Sequence, residues 1–335
     1  MTTPPQQPAT RPAGGWIVSP AYDLLFLANL GWLLLLIPGQ FDSGGKGPSD
    51  FWQLYFLTTP HRWITLALVA CDPDRREGRS RLFIGIAIFA TVLVGGVWAA
   101  TGSLMCLVFA DYVWNSWHFA SQHQGVLRMY ARQSGGGPNW LERHALRAFI
   151  VYTILRTAGW STGWIEADSI AKGWMNGVDL AMLSIPLALL AANIAGAARN
   201  RVPKLIYLAS LLGLYSGLLL ALRNDWRQAV FALTAASSTF HAVEYLAVVS
   251  HYARRRIAVG SAGLFRRMAS NWAVLLGGYM MALGVAGSWL DNPENGWFAV
   301  WTAVNIWSAF LHYTYDGFIW KLRKPETARA LGVAP

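Results

Sequence analysis

The sequence is short of the residues on which most soluble and secreted proteins depend. It has two cysteines, Cys71 and Cys106, in 335 residues, too few for a disulfide framework or a thiolate metal cluster. Charged residues fill 13% of positions, about half the share found in soluble domains. Strict alternation of apolar and polar residues is missing, which excludes a membrane β-barrel. "SGGGP" is wrongly placed for a phosphate loop, and no Ser-His-Asp pattern or dinucleotide fingerprint rises above chance. The opening "MTTPPQQPATRPAGG" lacks the apolar core of a cleaved signal and reads as a disordered tail over residues 1–16.

What the chain does have is apolar runs. Hydrophobic residues make up 54% of it, and runs of about 20 recur from end to end, each long enough to cross a hydrocarbon core about 30 Å thick. The pattern predicts an all-α fold, a polytopic transmembrane helix bundle of ten spans. These centre on 21–38, 51–71, 82–100, 103–127, 145–165, 177–196, 204–222, 228–252, 271–290 and 297–320. Residues 17–322 form one domain, and residues 323–335 a cytoplasmic tail. "RMYARQSGGGPNWLERHALR" reads as the longest internal loop.

Lysine and arginine test that topology. Segments on one side hold 21 of the 27, and the opposite loops hold only Lys46, Lys172, Arg223 and Arg227. By the positive-inside rule both termini are cytoplasmic. The net charge of +10 is therefore loop bias, and no nucleic acid is called for. Small loops and the missing signal point to a bacterial cytoplasmic membrane.

Four histidines sit inside predicted spans: His61, His118, His241 and His312. The first basic residue at the cytoplasmic end follows each after 14, 10, 13 and 9 residues, depths of roughly 14–21 Å at about 1.5 Å per residue. Each lies on a polar stripe at helical spacing. His61 shares a face with Thr58 and Thr65, and His118 with Asp111, Asn115 and Gln122. His241 shares one with Ser237, Glu244 and Tyr245, and His312 with Asn305, Ser308, Tyr315 and Asp316. Such stripes are costly against lipid, so they face one another inside the bundle.

Glu244 at i+3 from His241 and Asp316 at i+4 from His312 are placed to join an imidazole as ligands or to orient it. Histidine and carboxylate without thiolate suit Fe(II), Mn or Zn, and open positions on Fe(II) suit oxygen chemistry. Asp111, Asn115 and Gln122 would position water or substrate. Arg62, anomalous in mid-span, calls for a carboxylate such as Asp111 or Glu244, or for a polar substrate end. His123 points about 140° away from His118, in a supporting or interfacial place. His144 lies in a charged loop, and His251 abuts the basic "ARRR" at the membrane surface, where lipid headgroups would meet it. Two other classes stay open: a b-type haem and quinone electron-transfer protein with two of the histidines as axial ligands, and a transporter with a His/Glu/Asp proton relay.

Pro60-His61, His118-Phe119-Ala120, Phe240-His241, and His312 with Asp316 before "GFIWKLR" occur in that order. As a set they resemble the Brp/Blh family of membrane β-carotene dioxygenases. Three positions depart from the family pattern. The acidic residue the family shows shortly after its Pro-His is absent, with Thr65 nearby, Ala120 replaces a glycine, and Glu244 and Tyr245 follow His241 where a second histidine is usual. The resemblance implies a non-haem iron centre that uses dioxygen on a long apolar substrate entering from the bilayer. On that basis the expected ligands are His61, His118, His241 and His312, with Glu244 and Asp316 beside them.

Overall fold

A computed structural model of the protein describes residues 13–37, 48–76, 78–136, 139–162, 169–196, 200–259 and 264–333. Every regular element among them is helical. The bundle is carried by α1 (Thr59–Cys71), α2 (Ser80–Thr101), α3 (Met105–Gln133), α4 (Trp140–Thr162), α5 (Ser169–Ala195), α6 (Val202–Arg223), α7 (Arg227–Val259), α8 (Trp272–Leu290) and α9 (Phe298–Ile319).

Four helices are long and apolar enough to cross a membrane: α2, the Lys172–Ala195 part of α5, α6 and α8. On three of them the apolar side chains point outward, with Phe89, Leu187 and Val274 exposed. Helix α6 is mostly buried, with Tyr207, Leu211, Leu214 and Leu218 in the core. The histidine-bearing helices are not in this apolar set. Polar residues along one face lower their average, and α1 itself is short.

Those four helices close a ring, since α1 packs on α9, α9 on α3, α3 on α7 and α7 on α1. Outside it, α4 packs on α3, α6 on α7, and α5 bridges α4 and α6. Before α1, a short helix (Pro48–Gln53) leads into a π-helical turn, Leu54–Thr58. The wider turn suits the approach to Pro60, which has no N–H to give to the preceding turn.

Two expectations about the helices, the first span and the long internal loop, differ from the structure. The first predicted span is no continuous α-helix: it breaks into Pro20–Tyr22, a π turn at Asp23–Leu27 and a 3-10 stretch at Leu30–Leu36. Asn29 between them takes φ 45°. Side chains hold this segment where helical bonds would otherwise. Buried Asp23 accepts from the N–H of Ile17 at 2.8 Å and from Tyr130 at 3.1 Å, while Ser210 donates to the Ala28 carbonyl at 2.7 Å. Of the predicted N-terminal tail, residues 1–12 lie outside the described residues, and Ala13–Gly15 form a 3-10 turn.

The long internal loop is mostly helix. Gly135 (φ +76°) ends α3 and lets the N–H of Gly136 return to the Ala131 carbonyl at 2.7 Å. Chain then remains only for a short link, whose residues 137 and 138 lie outside the described ones. The C-terminal stretch is docked, with a helix at Pro325–Ala330 and with Ala328, Leu331 and Val333 buried. Gln133 and His251 bond the carbonyls of Gly332 and Leu331 at 3.2 and 3.1 Å.

Candidate metal centre

The ring of helices carries a ring of imidazoles. Centroids of His61 and His241, His241 and His118, and His61 and His312 stand 5.0 Å apart, and those of His118 and His312 4.6 Å. All four side chains are buried. Ligating atoms of His61, His241 and His312 fall within 4.8 Å of one another.

The geometry fits one ion. A metal–nitrogen bond of about 2.0–2.1 Å puts an imidazole centroid about 3.2 Å from the ion. Neighbouring rings would then stand about 4.5 Å apart at right angles and about 5.2 Å apart at the tetrahedral angle. The four observed separations lie between those limits.

The donor set agrees. His61 Nδ1 lies 2.5 Å from the Thr58 carbonyl oxygen, an acceptor, so Nδ1 carries the proton and Nε2 the lone pair. That acceptor sits at the end of the π turn, which is how the turn positions the histidine. His312 Nδ1 lies 2.7 Å from Thr65 Oγ1, and Thr65 donates to Asp316 Oδ1 at 3.0 Å. Tyr245 donates to the same carboxylate oxygen at 3.1 Å and also meets Thr65. The Nε2 atoms of His61, His118, His241 and His312 are all buried without a hydrogen-bond partner among the described residues. Each such atom costs roughly 1–3 kcal/mol, and lone pairs that converge cannot satisfy one another. A cation would relieve that cost for His61, His241 and His312, and His118 groups with His312 and Asp316 as a second possible set.

Apolar and aromatic contacts fix the remaining rings. Phe119 stacks on His241 at 3.9 Å and 13°, and Tyr313 lies 4.7 Å from His118. Gln122 donates to the main-chain oxygen of His241 at 2.9 Å, which ties α3 to α7 beside the ring.

The carboxylates divide. Asp316 Oδ2 is 3.6 Å from His312 Nδ1, and Asp316 could share an ion with His118 and His312. Glu244 turns away from His241 and is not placed as a ligand. Its Oε2 lies 2.5 Å from His123 Nδ1 and its Oε1 accepts from Tyr207 at 3.1 Å. Tyr215 reaches His123 Nε2 at 3.4 Å. His123 is thus the partner of Glu244, in a buried cluster whose imidazole stands 6.1 Å from that of His241.

Tyr315 does not join the site either; its hydroxyl donates to the Phe83 carbonyl at 2.8 Å. Tyr313 takes that place, donating to Asn115 Oδ1 at 3.0 Å. Asp111 lies one turn from Asn115, with Oδ1 buried and unbonded, in the field of half-buried Arg62. His144 is exposed against Trp140. His251, expected at lipid headgroups, bonds the docked C-terminal segment instead.

Tyr313, Tyr207 and Tyr215 escaped the sequence reading. The last two gave no signal beyond being polar-tipped residues in a leucine-rich helix. A cavity of about 640 Å³ adjoins the ring, and His118, Gln122, Tyr245, Tyr313 and Asp316 form part of its wall. Compared with known proteins, the chain matches no family model, no curated protein and no solved structure.

Proposed function

We propose that the protein is a membrane-embedded non-haem iron oxygenase acting on a long apolar substrate such as a carotenoid, an isoprenoid or an acyl chain. The observation that carries this reading is a ring of four buried imidazoles from four helices, each with an unpartnered Nε2, in which His61, His241 and His312 bring ligating atoms within 4.8 Å of one another. His61, His118, His241 and His312 would hold the ion, and a four-nitrogen set leaves up to two of six positions open. Fe(II) bound there would supply the activation of dioxygen.

The chain's own residues do the rest. Thr65, Asp316 and the Thr58 carbonyl hold the imidazoles in one tautomer and orientation. Phe119 and Tyr313 keep bulk water from the ring. The cavity brings an apolar chain to the His118 side, where Gln122 and Tyr245 present polar atoms to it. Haem fits less well, because rings about 5 Å apart around one point leave no flat slot for a macrocycle.

Ten spans, with both termini on the cytoplasmic side of an inner membrane, complete the reading. The sidedness of 21 basic residues supports it. So do the outward apolar faces of α2, α5 and α8.

Elemental analysis and an absorption spectrum of detergent-purified protein test the metal. About one iron per chain without a Soret band is the expected result. A Soret band, or no bound metal even after iron is supplied, would overturn the reading. Oxygen uptake with candidate lipids then tests the reaction.

A further inference from the structure

We propose that the cavity beside the histidine ring takes a single-chain amphiphile with a phosphate head, the head among five cations at its mouth and the chain running to His118. This deepens the oxygenase reading and rests on it only for what happens at the inner end.

The cavity is polar at one end and apolar along its walls. Arg128 from α3, Arg143 and Arg147 from α4, and Lys321 and Arg323 just beyond α9 line it, so five cations come from three separate elements. Trp114, Trp117, Phe318 and Trp320 supply apolar wall. Among the described residues, Asp316 is the one carboxylate lining it, and its Oδ1 is already held by Thr65 and Tyr245. Arg128 and His118 are ten residues apart on one helix, about 15 Å. A head bound at Arg128 therefore leaves room for an extended chain to reach the ring.

A basic rim alone would be ordinary loop bias. What sets this cluster apart is that five cations from three elements line one cavity beside a single carboxylate. Elsewhere Arg256 pairs with Asp74 at 2.5 Å, Lys204 with Glu142 at 2.8 Å and Arg156 with Asp179 at 3.5 Å. Among the described residues, none of the five cations at the mouth forms an ion pair. Arg147 is half-buried; it leans on the Trp117 ring at 5.1 Å, reaches only the neutral Gln124 at 3.3 Å, and leaves a buried Nε unbonded. Lys321, beyond the end of α9, has its pKa lowered by burial and then by the positive charge of Arg323, Arg79 and Lys324. These are conditions that an anion relieves.

The number of cations selects the head. A carboxylate brings one charge, whereas a phosphate monoester brings about 1.5–2 at neutral pH and three acceptor oxygens. Arginine forks match those oxygens two at a time. Neutral hydrocarbons such as carotenes leave the mouth unmatched, which narrows the substrate to a phosphorylated isoprenoid or alkyl chain.

Calorimetric titration of the purified protein in neutral detergent tests this with dodecyl phosphate, dodecanol, inorganic phosphate and phosphatidylglycerol as probes. Dodecyl phosphate is expected to bind at least about tenfold tighter than each of the others. That preference should vanish in Arg143→Gln/Arg147→Gln, and in Lys321→Gln/Arg323→Gln should the first pair fail to fold. Equal affinity for dodecanol would overturn the proposal. Equal affinity for inorganic phosphate would make this a free-anion site, and equal affinity for phosphatidylglycerol would make the cations bilayer contacts. Either result also overturns it, as does a preference that survives both variants. Iron is measured in the same samples. Selective binding without iron would sink the oxygenase and leave this site standing; iron without selectivity would do the reverse.

Discussion

Thr65 joins two helices at the site: its Oγ1 lies 2.7 Å from Nδ1 of His312 and 3.0 Å from Oδ1 of Asp316. The hydroxyl passes the orienting effect of the carboxylate on to the imidazole. It stands on α1, one turn beyond His61, so one helix supplies both a ligand and the support of another. Thr65→Val keeps the shape and removes the link. Metal affinity is expected to fall about 10–100-fold, read by competition with a chelator. Thr65→Ser should restore most of it. Unchanged affinity in the valine variant would show that His312 is held by packing alone.

Removing a donor has a larger effect than loosening one. His61→Ala, His118→Ala, His241→Ala and His312→Ala should each strip the metal after dialysis, with helical content kept. Elemental analysis beside circular dichroism measures both. A variant that folds and keeps its metal would remove that histidine from the ligand set.

Glu244 gives the contrasting case. Its two oxygens serve His123 and Tyr207, so its loss orphans two buried groups and spares the ring of four. Glu244→Ala should cost about 3–5 kcal/mol of stability, as when one partner of a buried pair is removed. The folded fraction should keep its full metal content. Metal loss at unchanged melting temperature would make Glu244 a ligand after all.

Much of this arrangement was legible because apolar helices leave polar residues few places to go. His61, His118, His241 and His312 could not face lipid, and similar distances to the basic ends put them in one layer. What spacing could not tell is which neighbour a side chain turns to. Glu244 shares a face with His241 at i+3, yet α3 presents His123 closer by and α6 brings Tyr207 and Tyr215. Tyr315 lies at i+3 from His312, yet it meets the Phe83 carbonyl, while Tyr313, one residue on, faces α3. The first span misled for a related reason. Asp23 and Asn29 look like isolated polar residues in an apolar run, and only the bonds of Asp23 with Tyr130 on α3 and of the Ala28 carbonyl with Ser210 on α6 show how the broken segment is held.

The docked C-terminus carries a prediction of its own. Ala328, Leu331 and Val333 are buried, and two side-chain bonds hold the main chain behind them. A chain ending at residue 324 should melt several degrees lower and bind a hydrophobic dye at the exposed α3 and α7 surface. Melting equal to that of the full chain would mean the segment is not docked in solution.

The packing of α8 at Gly284 against the turn before α1 offers the last test. A Cβ on Gly284 would stand 2.5 Å from Cδ1 and 2.8 Å from Cγ of Phe56. Phe56 is buried within the Leu54–Thr58 turn, so its ring has little room to retreat. Gly284→Ala should therefore cost about 1–3 kcal/mol, the usual range for overpacking. The same push moves the turn whose Thr58 carbonyl holds His61 Nδ1, so metal affinity should weaken together with stability. Phe56→Leu frees space, and the double variant should recover both, giving a favourable coupling of at least about 0.5 kcal/mol. Thermal melts and chelator competition on the four proteins of the cycle read it out. Additive losses would mean that α8 and the turn do not press on each other, and the link from packing to ligand geometry would fail with them.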